Sequence, residues 1–498
     1  MSESILCAKC GHTVANNIEL PTTPVPDLLG GSHFVSESQA RMIYDTISSA
    51  RADISQLDSE ITRLDAVLDG LTRKRDALQI YAYSHMALVA PIKRLPPELL
   101  SKIFHHYNYG NNESYSRLDL NTVPLLLSSV CSKWRTIALS TPWLWASFTL
   151  TIQQKYLESD AKLANTWLAR AGTCPLTIRL ASRGSYQYTM KQLMKMFLLH
   201  CEQWTDLCLS VPLLALDSWA PAKNRLPRLQ KLYLTHELKR TLDIFEFAPR
   251  LRWLRLAACV DPSMVKVPWN QIEYLDVGMR HVDQCLDLLR KTPNLEKCIL
   301  VIHDGPGSHH SHSSIQLLRL RSMIFHGDPT HFLDTLLLPR LHEISITNSL
   351  YTGWTATSKL TSLLSRCSLT ALSLDPGSSL PDDDMIQILQ ACPSIVQLDL
   401  HRQCLTTSFL AQFAYRRDPE YPTTQQLVPM LRFMNIDYED TGSDIPDLTD
   451  AIQSRIVSNS EGPGSDDITG LQAVRIDYPS GRAFNSAILL RLRQLRGD

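Results

Sequence analysis

The residues best placed to do chemistry stand near the start of the sequence. There Cys7-Ala-Lys-Cys10-Gly-His12 sets two thiols at the spacing that chelates a tetrahedral zinc ion. Such a site closes with four ligands, and the next cysteine is Cys131, so only His12 and His33 are near enough in sequence to complete it. The shortfall favours a tail with two free thiols and no metal. His309, His310 and His312 form a second cluster inside a Gly/Ser stretch, which reads as a solvated loop. The sequence holds no phosphate-binding G-x-x-x-x-G-K, no G-x-S-x-G elbow, no H-E-x-x-H helix and no Gly-rich dinucleotide turn. No cysteine is arranged to carry a ubiquitin thioester. The chain therefore reads as a binding protein without cofactor or catalytic residues, and its function has to come from its surfaces.

At 498 residues, 44% hydrophobic and 20% charged, the chain is long enough for roughly three domains or one long repeat array. The 49 basic residues nearly cancel the 50 acidic ones, so no global field draws in nucleic acid or an anionic membrane. The first twenty residues lack a basic leader followed by an apolar run, and no later stretch approaches 18 uninterrupted apolar residues. The 12 cysteines are scattered, many in apolar slots such as Cys259, Cys298, Cys367 and Cys392, which suits reduced thiols in the cytoplasm or nucleus.

Residues 1–35, with the PTTPVP cluster and Gly30-Gly31, read as a flexible arm. From Ser36 the pattern changes. Ile43, Ile47, Ala50, Ile54, Leu57, Ile61, Leu64, Leu68 and Leu71 recur at alternating spacings of four and three, which is a heptad seam. Arg75 interrupts it before Leu78, and Gly70 lies within it. A helix over 36–84 follows, either forming a coiled-coil hairpin or homodimer, or folding back on neighbouring helices.

Past Leu150 the dominant signal is a repeated apolar-x-x-apolar-x-apolar triad. It runs from Trp204/Leu207/Leu209 through Leu229/Leu232/Leu234 and Leu341/Ile344/Ile346 to Leu471/Val474/Ile476. Most periods fall between 21 and 28 residues, then stretch to 36 and 40 where polar insertions intrude. Helical segments such as VDQCLDLLRKTP, TSKLTSLLSRC and DMIQILQACP lie between the triads. This is an irregular leucine-rich solenoid over 170–498, an α/β array whose parallel strands line a concave sheet. Positions alternating with the buried ones face out of that sheet. They make one end aromatic and basic, through Lys231, Tyr233, Trp253, Arg255, Tyr274 and Lys297, and the other acidic, through Glu343, Asp375, Asp399 and Asp437, with His401 and Asn435 beside them. The face, from Lys231, Tyr233, Trp253, Arg255 and Tyr274 to Asp399 and Asp437, is the candidate target-binding surface for a bipolar partner, with Trp253 its best anchor; the competing assignment is that these residues only keep the solenoid soluble. Where leucine-rich repeats commonly carry a turn asparagine, this chain has Glu237, Arg280, His303 or Gln403, and only Cys259 fits.

Between coil and solenoid, PIKRLPPELLSKIFHHY begins at Pro91 and is followed, after a polar loop, by VPLLLSSVCSKWRTIALSTPWLWASF. Pro96 and Pro97 sit where a first helical turn tolerates proline, and Leu95, Leu99, Ile103 and Phe104 follow at helical spacing. The span 91–145 resembles an F-box, in particular the fungal, basidiomycete-type proteins that place a heptad helix before the box and leucine-rich repeats after it. The resemblance implies a three-helix module that binds a Skp-type adaptor, and through it a cullin and RING ligase. It assigns adaptor contact to Leu95, Pro96, Leu99, Ile103, Phe104, Val130, Cys131 and Trp134. For Ile103, Val130 and Ile137 a place in the module's own core is the competing assignment. The function implied is the target-recognition subunit of an SCF-type ubiquitin ligase, with the target unspecified. The alternative is a non-ligase scaffold in which the box only packs between coil and repeats.

Overall fold

A computed structural model of the chain describes residues 5–7, 12–13, 18, 20–26, 34–110, 123–182, 187–279, 282–302, 314–347, 357–376, 380–403, 405–414, 426–438, 445–457 and 471–477. Cys10, His33, His309, His310 and His312 lie outside this set, as do the side chains of Cys7, His12 and Asp437. The chain divides between Leu99 and Leu100 into two compact units.

In the first unit, β1 (Ile5–Cys7) pairs antiparallel with β2 (His12–Thr13), setting Cys7 opposite His12. Helix α1 follows, 53 residues from Glu37 to Val89. Its start is fixed by a capping box. The Gln39 backbone N–H donates to the Ser36 hydroxyl at 3.3 Å, and the Ser36 N–H donates to the Gln39 carboxamide at 3.0 Å. The heptad pattern predicts an end near residue 84, but the helix continues to Val89. No residue before Pro91 forbids helical backbone, and Ala90, immediately ahead of that proline, is forced out of it (φ −55°, ψ 130°). No residue of α1 is buried. Among the described residues of the unit, none encloses the seam.

The second unit takes up α2 (Pro97–Gly110) from Leu100 onward, then α3 (Val123–Val130) and α4 (Ser132–Leu139). A parallel sheet of thirteen strands follows among the described residues: β3 (Ser147–Ile152), β4 (Leu176–Ser182), β5 (Trp204–Ser210), β6 (Lys231–Leu234), β7 (Trp253–Leu256), β8 (Tyr274–Met279), β9 (Lys297–Ile302), β11 (Ser322–His326), β13 (Glu343–Thr347), β14 (Ala371–Asp375), β15 (Gln397–Gln403), β16 (Phe433–Tyr438) and β17 (Ala473–Asp477). They lie side by side in chain order, while the short β10 (Ile315–Gln316) and β12 (Leu336–Leu337) pair apart from them. Helices lie between strands: α5 (Leu157–Ala171), α6 (Gln187–Leu198), α7 (Leu213–Leu216), α8 (Val282–Lys291), α9 (Thr330–Leu333), α10 (Thr357–Leu364), α11 (Asp382–Gln390), α12 (Thr407–Phe413) and α13 (Ile445–Val457).

This is the leucine-rich solenoid expected from the triads, and every triad from Trp204 to Ile436 is buried. The last is not, because β17 is an edge strand: Leu471 is buried but Val474 is half-exposed. The sheet also begins earlier than the expected start near 170. Trp145 and Leu150 stand at the triad spacing and are both enclosed, as are Leu176, Ile178 and Leu180 of β4. The repeats between β5 and β8 connect largely through short 3-10 turns, such as Pro262–Met264 and Trp269–Gln271, whereas the next connection, from β8 to β9, holds the ten-residue α8. The 28- and 26-residue periods that follow β13 and β14 hold α10 and α11. Cys259 takes the turn position that asparagine commonly fills, and its thiol donates to the Thr235 carbonyl at 3.0 Å.

Candidate functional site

Two surfaces emerge, one on the helices of 91–145 and one on the concave sheet. A 3-10 turn, Pro91–Arg94, leads into α2, whose first residue is Pro97, where the missing amide hydrogen costs nothing because that group has no helical acceptor. Glu98 sits in the same first turn, favourably placed at the positive end of the helix dipole.

Helix α2 carries two apolar stripes one residue apart, hence about 100° apart around the axis. Leu100 and Phe104 form the inward stripe and are 0% and 1% exposed. Leu99, Ile103 and Tyr107, at intervals of four, form the outward stripe and are 46%, 44% and 47% exposed. Phe104, grouped with the adaptor-facing residues from the sequence, therefore turns into the module's own core, with its ring centroid 4.9 Å from that of Trp134. It supports the surface without forming it.

The other positions sort similarly. Pro96, Val130 and Cys131 are exposed, whereas Leu95 and Trp134 are half-buried. Ile137 is buried with Val123 and Leu127. Of the three residues with competing assignments, Ile103 and Val130 are thus on the surface and Ile137 is in the core. Leu126 and Leu139, not singled out from the sequence, add exposed apolar area on α3 and α4. Cys131 caps α4, its sulfur accepting from the Trp134 amide at 3.5 Å.

Trp145 closes this region. It is fully buried, donates from Nε1 to the Ala138 carbonyl at 2.8 Å and lies edge-on to Trp167 at 4.7 Å. Arg170 of α5 covers its ring at 4.3 Å. The module is thereby joined to the first strand-helix unit of the solenoid.

On the concave side, the strand register sets Asp206, Lys231, Trp253, Tyr274 and Lys297 in one row, and Arg179, Cys208, Tyr233, Arg255 and Asp276 in the next. Trp253 and Tyr274 stack at 4.7 Å with 13° between their planes. Arg255 lies 4.8 Å over the Tyr233 ring and pairs through Nε with Asp276 at 2.8 Å. Lys231 approaches Asp206 at 3.4 Å. Arg179, Asp206, Lys231, Tyr233, Trp253 and Arg255 line a groove of about 460 Å³. Burial pushes the Asp276 carboxyl above its ordinary pKa against the opposing pull of Arg255, and burial likewise raises the Tyr233 and Tyr274 hydroxyls.

Asp206, Arg179 and Asp276 were missed in the sequence. Arg179 lies in β4, where no triad was read, while Asp206 and Asp276 stand beside the buried Leu207, Leu275 and Val277 of triads that were, where the alternation does point them outward. At the far end, Asp399 accepts from Asn435 Nδ2 at 2.6 Å and from Gln397 Nε2 at 3.0 Å, so its charge is held in a polar ladder. Asp437 is in register with His401 and Asp477 along the backbone.

Among the described residues no group of three or more His, Cys, Asp or Glu side chains could hold a metal ion, and no helix is long and apolar enough to cross a membrane. Burial pushes the Cys285 and Cys392 thiols up to about 12, which keeps both protonated and unreactive at neutral pH.

Residues 92–151 match the F-box-like family, so the chain carries an F-box-like domain there, followed by leucine-rich-repeat architecture. A comparison with curated proteins finds no match. Among solved structures, the chain is similar to one in a TLR13–ssRNA13 complex, at 14% identity and a TM-score of 0.33, covering 57% of this chain and 46% of that one. It is similar to one in a complex of Rad7 and Elc1 from yeast, at 15% identity and TM-score 0.30, covering 76% and 96%. A leucine-rich repeat-containing protein, LegL7 of Legionella pneumophila, gives 13% identity and TM-score 0.26, covering 71% and 91%. This chain thus spans less than half of the TLR13 chain.

Proposed function

We propose that this protein is the target-recognition subunit of an SCF-type cullin-RING ubiquitin ligase. The F-box-like region binds a Skp-type adaptor, and the concave sheet holds the target. The observation that carries the reading is the outward stripe of α2, Leu99 and Ile103, left on the surface of a region that matches the F-box-like family. Exposed Val130 and Leu126 extend the apolar area on α3. Covering leucine-sized side chains is worth about 1.5 to 3 kcal/mol each, so a few of them support tight pairing.

The mechanism is proximity. The protein holds a target lysine near a charged ubiquitin-conjugating enzyme and contributes no reacting group. Such a role belongs in the cytoplasm or nucleus, where the ligase and reduced thiols coexist. On the concave face the aromatic-basic end, with Lys231, Tyr233, Trp253, Arg255 and Tyr274, receives the target, and the acidic end around Asp399 and Asp437 sets its orientation.

The test is calorimetric titration of the full chain with a purified Skp-type adaptor. Wild type binds, and Leu99→Asp/Ile103→Asp does not, while the variant's thermal unfolding stays that of wild type. Failure of the wild-type chain to bind any Skp-type adaptor would leave the scaffold reading, in which the Trp145 junction is the purpose of the module.

A further inference from the structure

The seam of α1 is a long apolar feature left uncovered, and its residues specify what covers it. With spacings of three and four, Ile47, Ile54, Ile61 and Leu68 occupy one seam position and Ala50, Leu57, Leu64 and Leu71 the other. Ile54, Ile61, Leu68 and Leu71 are 55% to 61% exposed. We propose that α1 pairs with α1 of a second copy of this chain as an antiparallel two-stranded coiled coil centred on Ser59. This inference does not rest on the adaptor reading.

Packing and charge both select the orientation. In the antiparallel pairing Ile47 meets Leu71 of the second copy, Ile54 meets Leu64, and Leu57 meets Ile61, so these three layers each join an isoleucine to a leucine. The small Ala50 meets the larger Leu68. Arg75, the one charged seam residue, meets Ile43 at the end of the overlap, where its long stem can reach water. On the flanks, Arg51 faces Asp65 of the second copy, an attraction that occurs twice by symmetry. Asp58 and Glu60 face their own copies, but Glu60 is already paired to Arg63 within the helix at 2.8 Å.

The parallel, in-register alternative stacks Ala50 on Ala50, leaving a gap, and Arg75 on Arg75 inside the seam. It also sets Asp53 against Asp58 and Glu60 against Asp65, each twice, with Arg51 facing only Thr46. The isoleucine/leucine pattern alone is compatible with parallel dimers, so these four repulsions and the buried arginine pair decide the orientation. Antiparallel pairing points the two Val89 ends away from each other.

The experiment uses the full chain. Sedimentation equilibrium is expected to show a dimer that Leu57→Lys/Ile61→Lys converts to monomer, with the solenoid's unfolding transition unchanged. Ile54→Cys and Leu64→Cys are then made separately and oxidised alone and mixed, over the background of the native cysteines. A new disulfide-linked dimer only in the mixture supports the pairing. Self-linking of either variant alone shows a parallel coil and overturns it, as does a wild-type chain that is monomeric at all concentrations. A charge exchange adds an independent readout: Arg51→Asp weakens the dimer several-fold, and Arg51→Asp/Asp65→Arg restores it.

Discussion

The solenoid and α1 are built from similar material, apolar residues repeating at strict spacing, yet one buries its repeats and the other buries nothing. Each triad from Trp204 to Ile436 is enclosed because the next repeat of the same chain lies against it. The seam of α1 is enclosed by nothing among the described residues, and Leu68 is 61% exposed. Periodicity therefore determines which residues share a face. Whether that face is covered depends on what else the chain brings to it. The F-box-like helices show both outcomes within four turns, Leu100 and Phe104 enclosed beside Leu99 and Ile103 on the surface.

The contrast can be broken most severely at the junction. Trp145→Ala removes a fully buried ring and the hydrogen bond to Ala138, and is expected to cost about 3 to 5 kcal/mol in urea unfolding. Ile344→Ala, deep in the sheet, should cost about 2 to 5 kcal/mol. Leu68→Ala in α1 should leave the same transition of the solenoid within about 0.5 kcal/mol of wild type. Equal costs at Ile344 and Leu68 would show that α1 and the solenoid unfold as one.

Within the F-box-like region the expected difference is of the same kind. Phe104→Ala lowers stability by roughly 3 to 5 kcal/mol. Ile103→Ala leaves stability nearly unchanged and acts on adaptor affinity alone. Calorimetry and thermal melting on the same pair of variants distinguish the two stripes.

Much of this was legible in the sequence because it depends on local spacing. The triads fix the strands, and the alternation inside KLYL and WLRL places Tyr233, Trp253 and Arg255 on the open face. The first strand, β3, was hidden because Trp145 belongs at once to the end of the helical module and to the opening triad of the sheet. Phe104 was misplaced for a tertiary reason: Ile103 and Phe104 are adjacent and equally apolar, and only the position of Trp134 decides which one turns inward. The Arg255–Asp276 pair escaped because its members are 21 residues apart and are brought together only by the pairing of β7 with β8.

The smallest expected effect concerns that pair. Burial raises the Asp276 carboxyl above its ordinary 3.8, so folding favours the neutral acid. The stabilisation from the neutral form is complete below the unfolded-state value and is lost as pH rises through the folded one. Trp253 fluorescence should therefore report a titration somewhat above pH 3.8, as Arg255 is released from its partner on acidification. Asp276→Asn should abolish that titration. A titration that persists in Asp276→Asn belongs to another group.

The central claim is that the outward face of α2 belongs to a second polypeptide. Hydrogen exchange on the full chain, with and without an equimolar Skp-type adaptor, tests it most directly. New protection is expected at 97–107 and across α3 and α4, with β6 to β8 unchanged. Protection confined to the solenoid strands, or none anywhere in 97–139, would contradict it.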